Sequence, residues 1–145
     1  IITFDSDGQH DPADIPLLLQ ALKSGQYEVA LGSRFLSTVS NVPWLRRLVL
    51  KVGVLFTKIV SGIKVTDTHN GLRALSAQAA ERINITQDKM AHASEILDEI
   101  ATKNISFTEV PVNIIYTKAS IKGSKQGALP ALKIVRDFFI GKLLR

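Results

Sequence analysis

Two aspartates separated by one residue, Asp5 and Asp7, directly follow the apolar residues 1–4 of the chain. Residues 1–4 are typical of a β-strand. In α/β sheets, ligands gather beyond the carboxyl ends of the strands, where these two carboxylates are expected. Hard oxygen ligands of this kind suit Mg²⁺ or Mn²⁺ bound together with the phosphate groups of a substrate. The spacing therefore predicts a metal site, with Gly8 allowing a sharp turn beside it.

Two other kinds of protein contain acidic loops of similar appearance. A calcium-binding EF-hand is excluded, because its sixth position requires glycine and its twelfth glutamate, where this chain has His10 and Pro16. A phosphatase of the haloacid dehalogenase type also begins with a strand and Asp-x-Asp-Gly, and there Asp5 would be the nucleophile and Asp7 the acid. That family has threonine after the glycine, where this chain has Gln9. The phosphatase is kept as the alternative enzyme class.

A purely structural interpretation of the same loop also stays open. Asp11 or Asp14 would cap a helix whose first turn contains Pro12. His10 would either contact the metal and a bound phosphate or serve as a hydrogen-bonded structural residue.

Strands and helices alternate along the rest of the chain, which predicts an α/β fold with helices on the faces of a sheet. Without internal repeats or an interior linker, residues 1–145 are expected to form a single domain, and the abrupt start on a strand suggests a piece of something longer. The predicted strands cover residues 1–4, 28–31, 72–75 and 105–116. The predicted helices cover 12–23, 43–60, 92–103 and 129–144, with a further short helix from residue 76.

Two of these helices are amphipathic. In the helix over 43–60, the apolar side contains Leu45, Leu48, Val52, Leu55, Phe56 and Ile59. Burial of most of these residues in the core is the favoured interpretation. The alternative is a helix lying on an anionic membrane, because Lys and Arg flank the apolar stripe here and in the helix over 129–144.

Composition narrows the class of protein. The 145 residues carry a net charge of +5, are 46% hydrophobic and 21% charged, and contain no cysteine. These values are typical of a folded soluble domain and exclude a disulfide framework, a thiolate zinc site and a cysteine nucleophile. With no apolar run of membrane-spanning length and no signal peptide in the sequence, we expect a cytoplasmic protein.

The positive charge is concentrated at the end of the chain. Residues 118–145 contain seven basic side chains and one acidic one. A basic segment on a nearly neutral body suggests phosphate or an anionic membrane surface as partner, or else a solvated face. Nucleic acid is not expected, because aromatic residues do not alternate with the charges and no nucleic-acid-binding motif occurs.

Residues 5–12, Asp-x-Asp-Gly-Gln-His-x-Pro, resemble the metal and nucleotide-diphosphate motif of family 2 glycosyltransferases, inverting enzymes with a GT-A fold. The likeness is greatest to the dolichol-phosphate mannosyltransferases and bacterial polyprenyl-phosphate glycosyltransferases. Further stretches follow in that family's order: residues 29–35 (VALGSRF), 67–74 (DTHNGLRA), 95–97 (EIL), 109–112 (EVPV) and 122–125 (KGSK).

The resemblance implies a partial GT-A (Rossmann-like) mixed sheet that lacks the N-terminal nucleotide-binding strands, so that the chain is the C-terminal part of a catalytic domain. It implies a metal-dependent, inverting transfer of a sugar from a nucleotide-diphosphate sugar to a polyprenyl phosphate, with Mg²⁺ or Mn²⁺, at the cytoplasmic face of a membrane. A sheet edge exposed by missing strands leads us to expect a homodimer or self-association. The alternative to an enzyme is a non-catalytic fragment that binds an anionic membrane or self-associates.

The resemblance also implies roles for individual residues. Asp7 would hold the metal, with Asp5 nearer the ribose. The residues expected to bind the donor or its phosphates are Gln9, Arg34, Arg73 and Lys125. Asp67, or else Glu95, would act as a base if the acceptor is a hydroxyl group. A lipid phosphate needs no base, and Asp67 would then orient Arg73 or the loop backbone.

Overall fold

The computed structural model describes residues 1–87 and 91–116 of the chain. The predicted helix over 129–144, the basic segment and Lys125 lie outside the described residues. A 3₁₀ turn, Pro12–Asp14, precedes the first α-helix. The elements are β1 (Ile2–Thr3), α1 (Ile15–Lys23), β2 (Val29–Ser33), α2 (Trp44–Ser61), β3 (Arg73–Leu75), α3 (Ala77–Arg82), α4 (Ala91–Thr102) and β4 (Phe107–Pro111).

The four strands form one mixed sheet in the order β1-β3-β2-β4. Strand β3 is antiparallel to both β1 and β2, whereas β2 and β4 are parallel. The register places Thr3, Arg73, Leu31 and Glu109 in one row across the sheet. The predicted α/β class is confirmed, and the row places an arginine and a glutamate on the same face, because directly paired residues share a face.

Apolar residues are buried on both faces of this sheet. On one face, Leu18 of α1 packs with Ala30, Ala74 and Val110 of the strands. On the other face, Ile96, Leu97 and Ile100 of α4 pack with three strand residues, Val29, Leu31 and Leu75. Helix packing on the two faces leaves the ends of the strands accessible for a site.

The structural interpretation of the acidic loop is confirmed for Asp11. Its Oδ1 accepts a hydrogen bond of 2.9 Å from the amide of Ala13, in the 3₁₀ turn that begins at Pro12. Asp14 makes no capping hydrogen bond with its side chain; its Oδ2 instead accepts a 2.7 Å hydrogen bond from the amide of Asn113. Asp14 therefore connects the start of α1 to the chain that follows β4.

The apolar side of α2 does not lie in the core, and the expectation that most of it is buried is wrong. Trp44 is 77% exposed and Ile59 74%, and Leu48, Val52 and Leu55 are each more than half exposed. The side that faces the protein contains Leu50 and Thr57, together with Gly53. A Cβ at Gly53 would stand 3.3 Å from the ring of His69. The helix therefore packs on one side through Leu50, Gly53 and Thr57 and presents its apolar stripe outward.

Candidate active site

The Asp-x-Asp loop leaves β1 with both carboxylates accessible. The side chain of Asp5 is 60% exposed, and its Oδ2 lies 3.7 Å from His10 Nε2. Asp7 accepts a 3.0 Å hydrogen bond from the amide of Gln9 through Oδ1, in a turn where Gly8 has a φ of 74°. Each carboxylate retains oxygens for a ligand, so these residues fit a divalent cation.

A cation at this loop would need oxygens from outside the protein. Within residues 1–87 and 91–116, no group of three or more His, Cys, Asp or Glu is arranged to hold a metal. Asp5 and Asp7 would supply two carboxylate ligands, and Mg²⁺ characteristically completes such a shell with water and substrate phosphates. The donor set therefore suits a metal that binds together with a phosphorylated ligand.

His10 lies beneath this loop and is 9% exposed. Its ring is 5.6 Å from that of Phe4. Its Nδ1 is buried and has no hydrogen-bond partner among the residues that the structure describes. A purely structural His10 was expected to be hydrogen-bonded, and among the described residues its Nδ1 has no such bond. The role of His10 in contacting a metal or a phosphate stays a prediction.

Gly71 brings the loop over residues 67–73 against Asp5. A Cβ at Gly71 would overlap the carboxylate of Asp5 in its present position, so glycine lets this carboxylate lie directly against the backbone of the loop. Thr3 Oγ1 also donates a 2.7 Å hydrogen bond to the carbonyl oxygen of Gly71. The sequence contained this glycine within a motif, but not its contact with a residue 66 positions earlier. The two motifs therefore form one site.

Arg73, at the start of β3, is buried with its charge. It is 4% exposed, and its guanidinium donates no hydrogen bond to any residue in the described part of the chain. Burial lowers the pKa of Arg73 to about 10, although the carboxylates of Asp5 and Asp67 act in the opposite direction. The group is still protonated at neutral pH. It is a buried cation whose donors are available to an anionic ligand.

Arg34 follows β2 and is equally buried, but it forms an ion pair. Its Nε donates to Asp67 Oδ2 at 2.6 Å, and its backbone amide donates to the same oxygen at 3.1 Å. Burial, the largest influence, would lower the pKa of Arg34, but Asp67 and Tyr116 outweigh it and raise this pKa. Asp67 therefore orients Arg34 rather than Arg73.

The carboxylate of Asp67 is fully engaged in these contacts. Its side chain has no exposed surface. Besides the two bonds from Arg34, it accepts a 3.3 Å bond from the amide of His69 through Oδ1. With both oxygens hydrogen-bonded and no exposed surface, this carboxylate is not placed to reach a proton on an incoming acceptor. Its environment therefore favours the orienting role over that of a base.

Glu109 supports the same loop from β4. Its carboxylate accepts bonds from the amide of Thr66 at 2.8 and 2.9 Å, from Thr66 Oγ1 at 2.8 Å and from the amide of Asp67 at 3.2 Å. Thr66 Oγ1 is also 2.6 Å from Ser33 Oγ. Sequence reasoning assigned no role to Glu109; its signal was the single carboxylate within the predicted strand over 105–116.

Glu95 makes its described contacts elsewhere. Its carboxylate accepts bonds of 2.7–3.1 Å from the amide and hydroxyl of Thr86 and from the amide of Gln87. These bonds anchor the loop before α4. The base role of Glu95 stays a prediction, as does donor binding by Gln9, which enters the described network through its backbone.

Comparison with known proteins places this site in a family. The profile of glycosyl transferase family 2 matches residues 1–83. An uncharacterized protein of Methanocaldococcus jannaschii is 35% identical over 126 residues, covering 83% of this chain and 51% of that protein. The UDP-N-acetylglucosamine–dolichyl-phosphate N-acetylglucosaminyltransferase of Methanococcus voltae is 36% identical over 126 residues, covering 83% and 49%. The polyprenol monophosphomannose synthase of Mycolicibacterium smegmatis is 29% identical over 128 residues, covering 86% and 48%.

The chain spans about half the length of these relatives. Among the described residues, no helix is both long enough and apolar enough to cross a membrane. The matched region contains Asp5, Asp7, Arg34, Asp67 and Arg73, and the match gives the phosphatase alternative no support. The chain belongs to glycosyl transferase family 2, the family that its Asp-x-Asp motif resembles.

Proposed function

We propose that this chain supplies the metal site, the diphosphate site and the acceptor-phosphate site of an inverting glycosyltransferase. The reaction moves a sugar from a nucleotide-diphosphate sugar to a polyprenyl phosphate. The observation that carries this proposal is a pair of buried arginines, Arg34 and Arg73, that retain unused hydrogen-bond donors close to the carboxylates of Asp5 and Asp67. Buried guanidinium groups with spare donors are suited to phosphate oxygens.

The donor diphosphate binds between the Asp-x-Asp loop and Arg73. Asp5 and Asp7 would hold Mg²⁺ or Mn²⁺, which when bound neutralises charge on the leaving diphosphate. Arg73 adds a fixed positive charge from the side of the sheet. Its guanidinium gains hydrogen bonds on binding the diphosphate, since it donates none to the described residues. Preorganised charge of this kind stabilises the leaving group without reorganisation during the reaction.

The burial of Asp67 and its pairing with Arg34 favour a phosphate, rather than a hydroxyl group, as the acceptor. A hydroxyl acceptor would need a base within hydrogen-bond reach, and Asp67 is buried and paired with Arg34. A phosphate monoester is already largely ionised at neutral pH and can attack without losing a proton to the protein. Arg34 orients it with the donors not used in its three side-chain hydrogen bonds. The names of the dolichyl- and polyprenyl-phosphate relatives support the same acceptor.

A transfer assay on the whole protein tests the metal and the acceptor together. With UDP-N-acetylglucosamine or GDP-mannose as donor, we expect Mn²⁺-dependent transfer to dolichyl phosphate and none to dolichol. The double variant Asp5→Asn/Asp7→Asn should lose both the transfer and the Mn²⁺-dependent binding of UDP or GDP. Asp11→Asn is the matched control, because asparagine caps a helix as well as aspartate does. Equal transfer to dolichol, or full metal-dependent binding by the double variant, would contradict the proposal.

Helix α2 provides the surface on which the lipid acceptor would be reached. Its outward stripe, Trp44, Leu48, Val52, Leu55 and Ile59, is flanked by three basic residues, Arg47, Lys51 and Lys58. A cleft of about 520 Å³ beside these basic residues is lined by Phe35, Val54, Leu55 and Val65. Apolar side chains flanked by cations are suited to the interface of an anionic bilayer. We place this face on the cytoplasmic surface of a membrane.

Vesicle sedimentation separates this role of α2 from self-association. Vesicles containing anionic lipid should retain the protein, and the variant Leu48→Ser/Leu55→Ser should bind them about tenfold more weakly. Leu17→Ser/Leu19→Ser on the exposed part of α1 is the matched control. Unchanged vesicle binding, with a loss of dimer in light scattering, would assign this face to a dimer instead. The dimer expected from an exposed sheet edge would involve an edge strand, β1 or β4, and would survive both variants.

A further inference from the structure

The five residues after β4 connect the two halves of the proposed site. The amide of Val112 donates to the carbonyl oxygen of Ser33 at 3.1 Å, beside Arg34. The amide of Ile115 donates to the carbonyl oxygen of Gln9 at 2.9 Å, and Ile114 forms a β-bridge with His10. Residues 112–116 therefore contact both the end of β2 and the Asp-x-Asp loop.

Tyr116 ends this segment with its hydroxyl group on Arg34. The Nη1 of Arg34 donates to Tyr116 Oη at 2.9 Å. From the other side, the guanidinium of Arg46 in α2 lies 5.2 Å from the centre of the Tyr116 ring. A cation over the face of the ring and a donor on its hydroxyl group hold the tyrosine in one place. Neither contact could be anticipated from sequence, because Tyr116 is 82 positions from Arg34.

The phenol completes the set of acceptors that fix the plane of Arg34. Asp67 Oδ2 accepts a hydrogen bond from Nε at 2.6 Å, and the carbonyl oxygen of His69 accepts one from Nη2 at 2.8 Å. Both acceptors belong to one loop, whereas Tyr116 reaches Nη1 from a different segment. A planar guanidinium held at all three nitrogens cannot turn, so its two remaining N–H groups keep a constant direction.

We propose that Tyr116 is the positioning residue for the acceptor phosphate and acts through Arg34. This inference rests on the proposed function, in which Arg34 orients that phosphate. A neutral phenol can orient a guanidinium without cancelling its charge, whereas a second carboxylate at this position would compete with the phosphate for it. Since Ile114 and Ile115 pair with the Asp-x-Asp loop, the same segment also fixes the acceptor site relative to the donor site.

Tyr116→Phe in the whole protein tests the inference, because it removes one oxygen and retains the ring under Arg46. With dolichyl phosphate as the varied substrate, the acceptor KM should rise about tenfold, the magnitude expected for losing a hydrogen bond to a charged group. The donor KM should stay unchanged, and the unfolding temperature should fall by only a few degrees, because Arg34 Nη1 loses a partly buried acceptor. Tyr27→Phe, on the remaining tyrosine, is the matched control and should leave all three quantities unchanged.

Three outcomes would overturn the inference in distinguishable ways. Equal acceptor KM values for Tyr116→Phe and Tyr27→Phe would remove any positioning role from the phenol. A parallel rise in both KM values with a lower unfolding temperature would make Tyr116 merely structural. An unchanged protein that fails to transfer sugar to dolichyl phosphate would remove the proposed function itself, and the inference with it. As a second variant, Arg46→Met leaves the hydroxyl group in place and should raise the acceptor KM about twofold.

Discussion

Arg34 and Arg73 are two arginines of one site with nearly equal burial and opposite surroundings. Arg34 is 5% exposed and Arg73 4%, and both are influenced by the carboxylate of Asp67. The pKa of Arg34 is raised, because Asp67 and Tyr116 outweigh the effect of burial; the pKa of Arg73 is lowered to about 10, because its opposing carboxylates do not. The charge of Arg34 is therefore compensated within the folded protein. The buried charge of Arg73, in contrast, lowers the free energy of unfolding when no ligand is bound.

This difference separates what the fold requires from what the ligand requires. Removing Arg34 leaves Asp67 buried without its counter-charge, so the fold should suffer. Removing Arg73 deletes a buried charge that no described residue hydrogen-bonds, so the fold should benefit and only binding should suffer. If the two substitutions change the free energy of unfolding with opposite signs, Arg34 stabilises the fold and Arg73 destabilises it.

The larger effect is expected for Arg34→Met in the whole protein. An uncompensated buried carboxylate typically costs about 3–5 kcal/mol, so the free energy of unfolding should fall by about that amount. Denaturant titration measures it. Arg47→Met, which removes an exposed arginine close by in α2, should change the same quantity by less than about 0.5 kcal/mol. Equal effects of the two substitutions would mean that the Arg34–Asp67 pair contributes nothing specific.

The sequence predicted much of the scaffold that holds these arginines. The strand before Asp5, the helix after Pro12 and the helix that became α2 all appear, because hydrophobic period and turn residues are local signals. The direction in which α2 faces was predicted wrongly. Periodicity identifies an apolar side, but what that side contacts depends on Gly53 and His69, which meet only in the folded chain.

The sequence predicted which residues belong to the site better than it predicted how they contact one another. Asp67 was expected to act as a base or to orient Arg73 or the loop backbone. Its carboxylate accepts a bond from the loop amide of His69 and pairs with Arg34, 33 positions away. The reason lies in the loop, whose backbone is held by Glu109 so that the carboxylate points toward the end of β2. The roles of Glu109, Gly71 and Tyr116 depend on contacts across 42 to 82 positions, which a single sequence does not encode in any local pattern.

The smaller effect is expected for Arg73→Met. Replacing a buried charge by an apolar side chain of similar length should raise the free energy of unfolding of the ligand-free protein by about 1–2 kcal/mol. The same variant should lose Mn²⁺-dependent binding of UDP or GDP. Lower stability together with unchanged nucleotide binding would show that Arg73 serves the fold, which would end the contrast with Arg34.

The pH dependence of that gain tests its cause. The folded pKa of Arg73, about 10, lies below the ordinary value of an arginine, so the folded state loses this proton first as pH rises. Below about pH 10 both states are protonated and the cost of burying the charge is present in full; above about pH 10 this cost falls, because the folded state loses its proton before the unfolded state does. The higher free energy of unfolding of Arg73→Met, relative to the unchanged protein, should therefore be constant from about pH 7 to 9. This advantage should shrink by about 1 kcal/mol by about pH 11.

Bound nucleotide and Mn²⁺ should shift this loss to higher pH, because a diphosphate at Arg73 favours its charged form. If the advantage instead persists unchanged to about pH 11, the Arg73→Met variant gains from better packing of its apolar side chain rather than from relief of a buried charge.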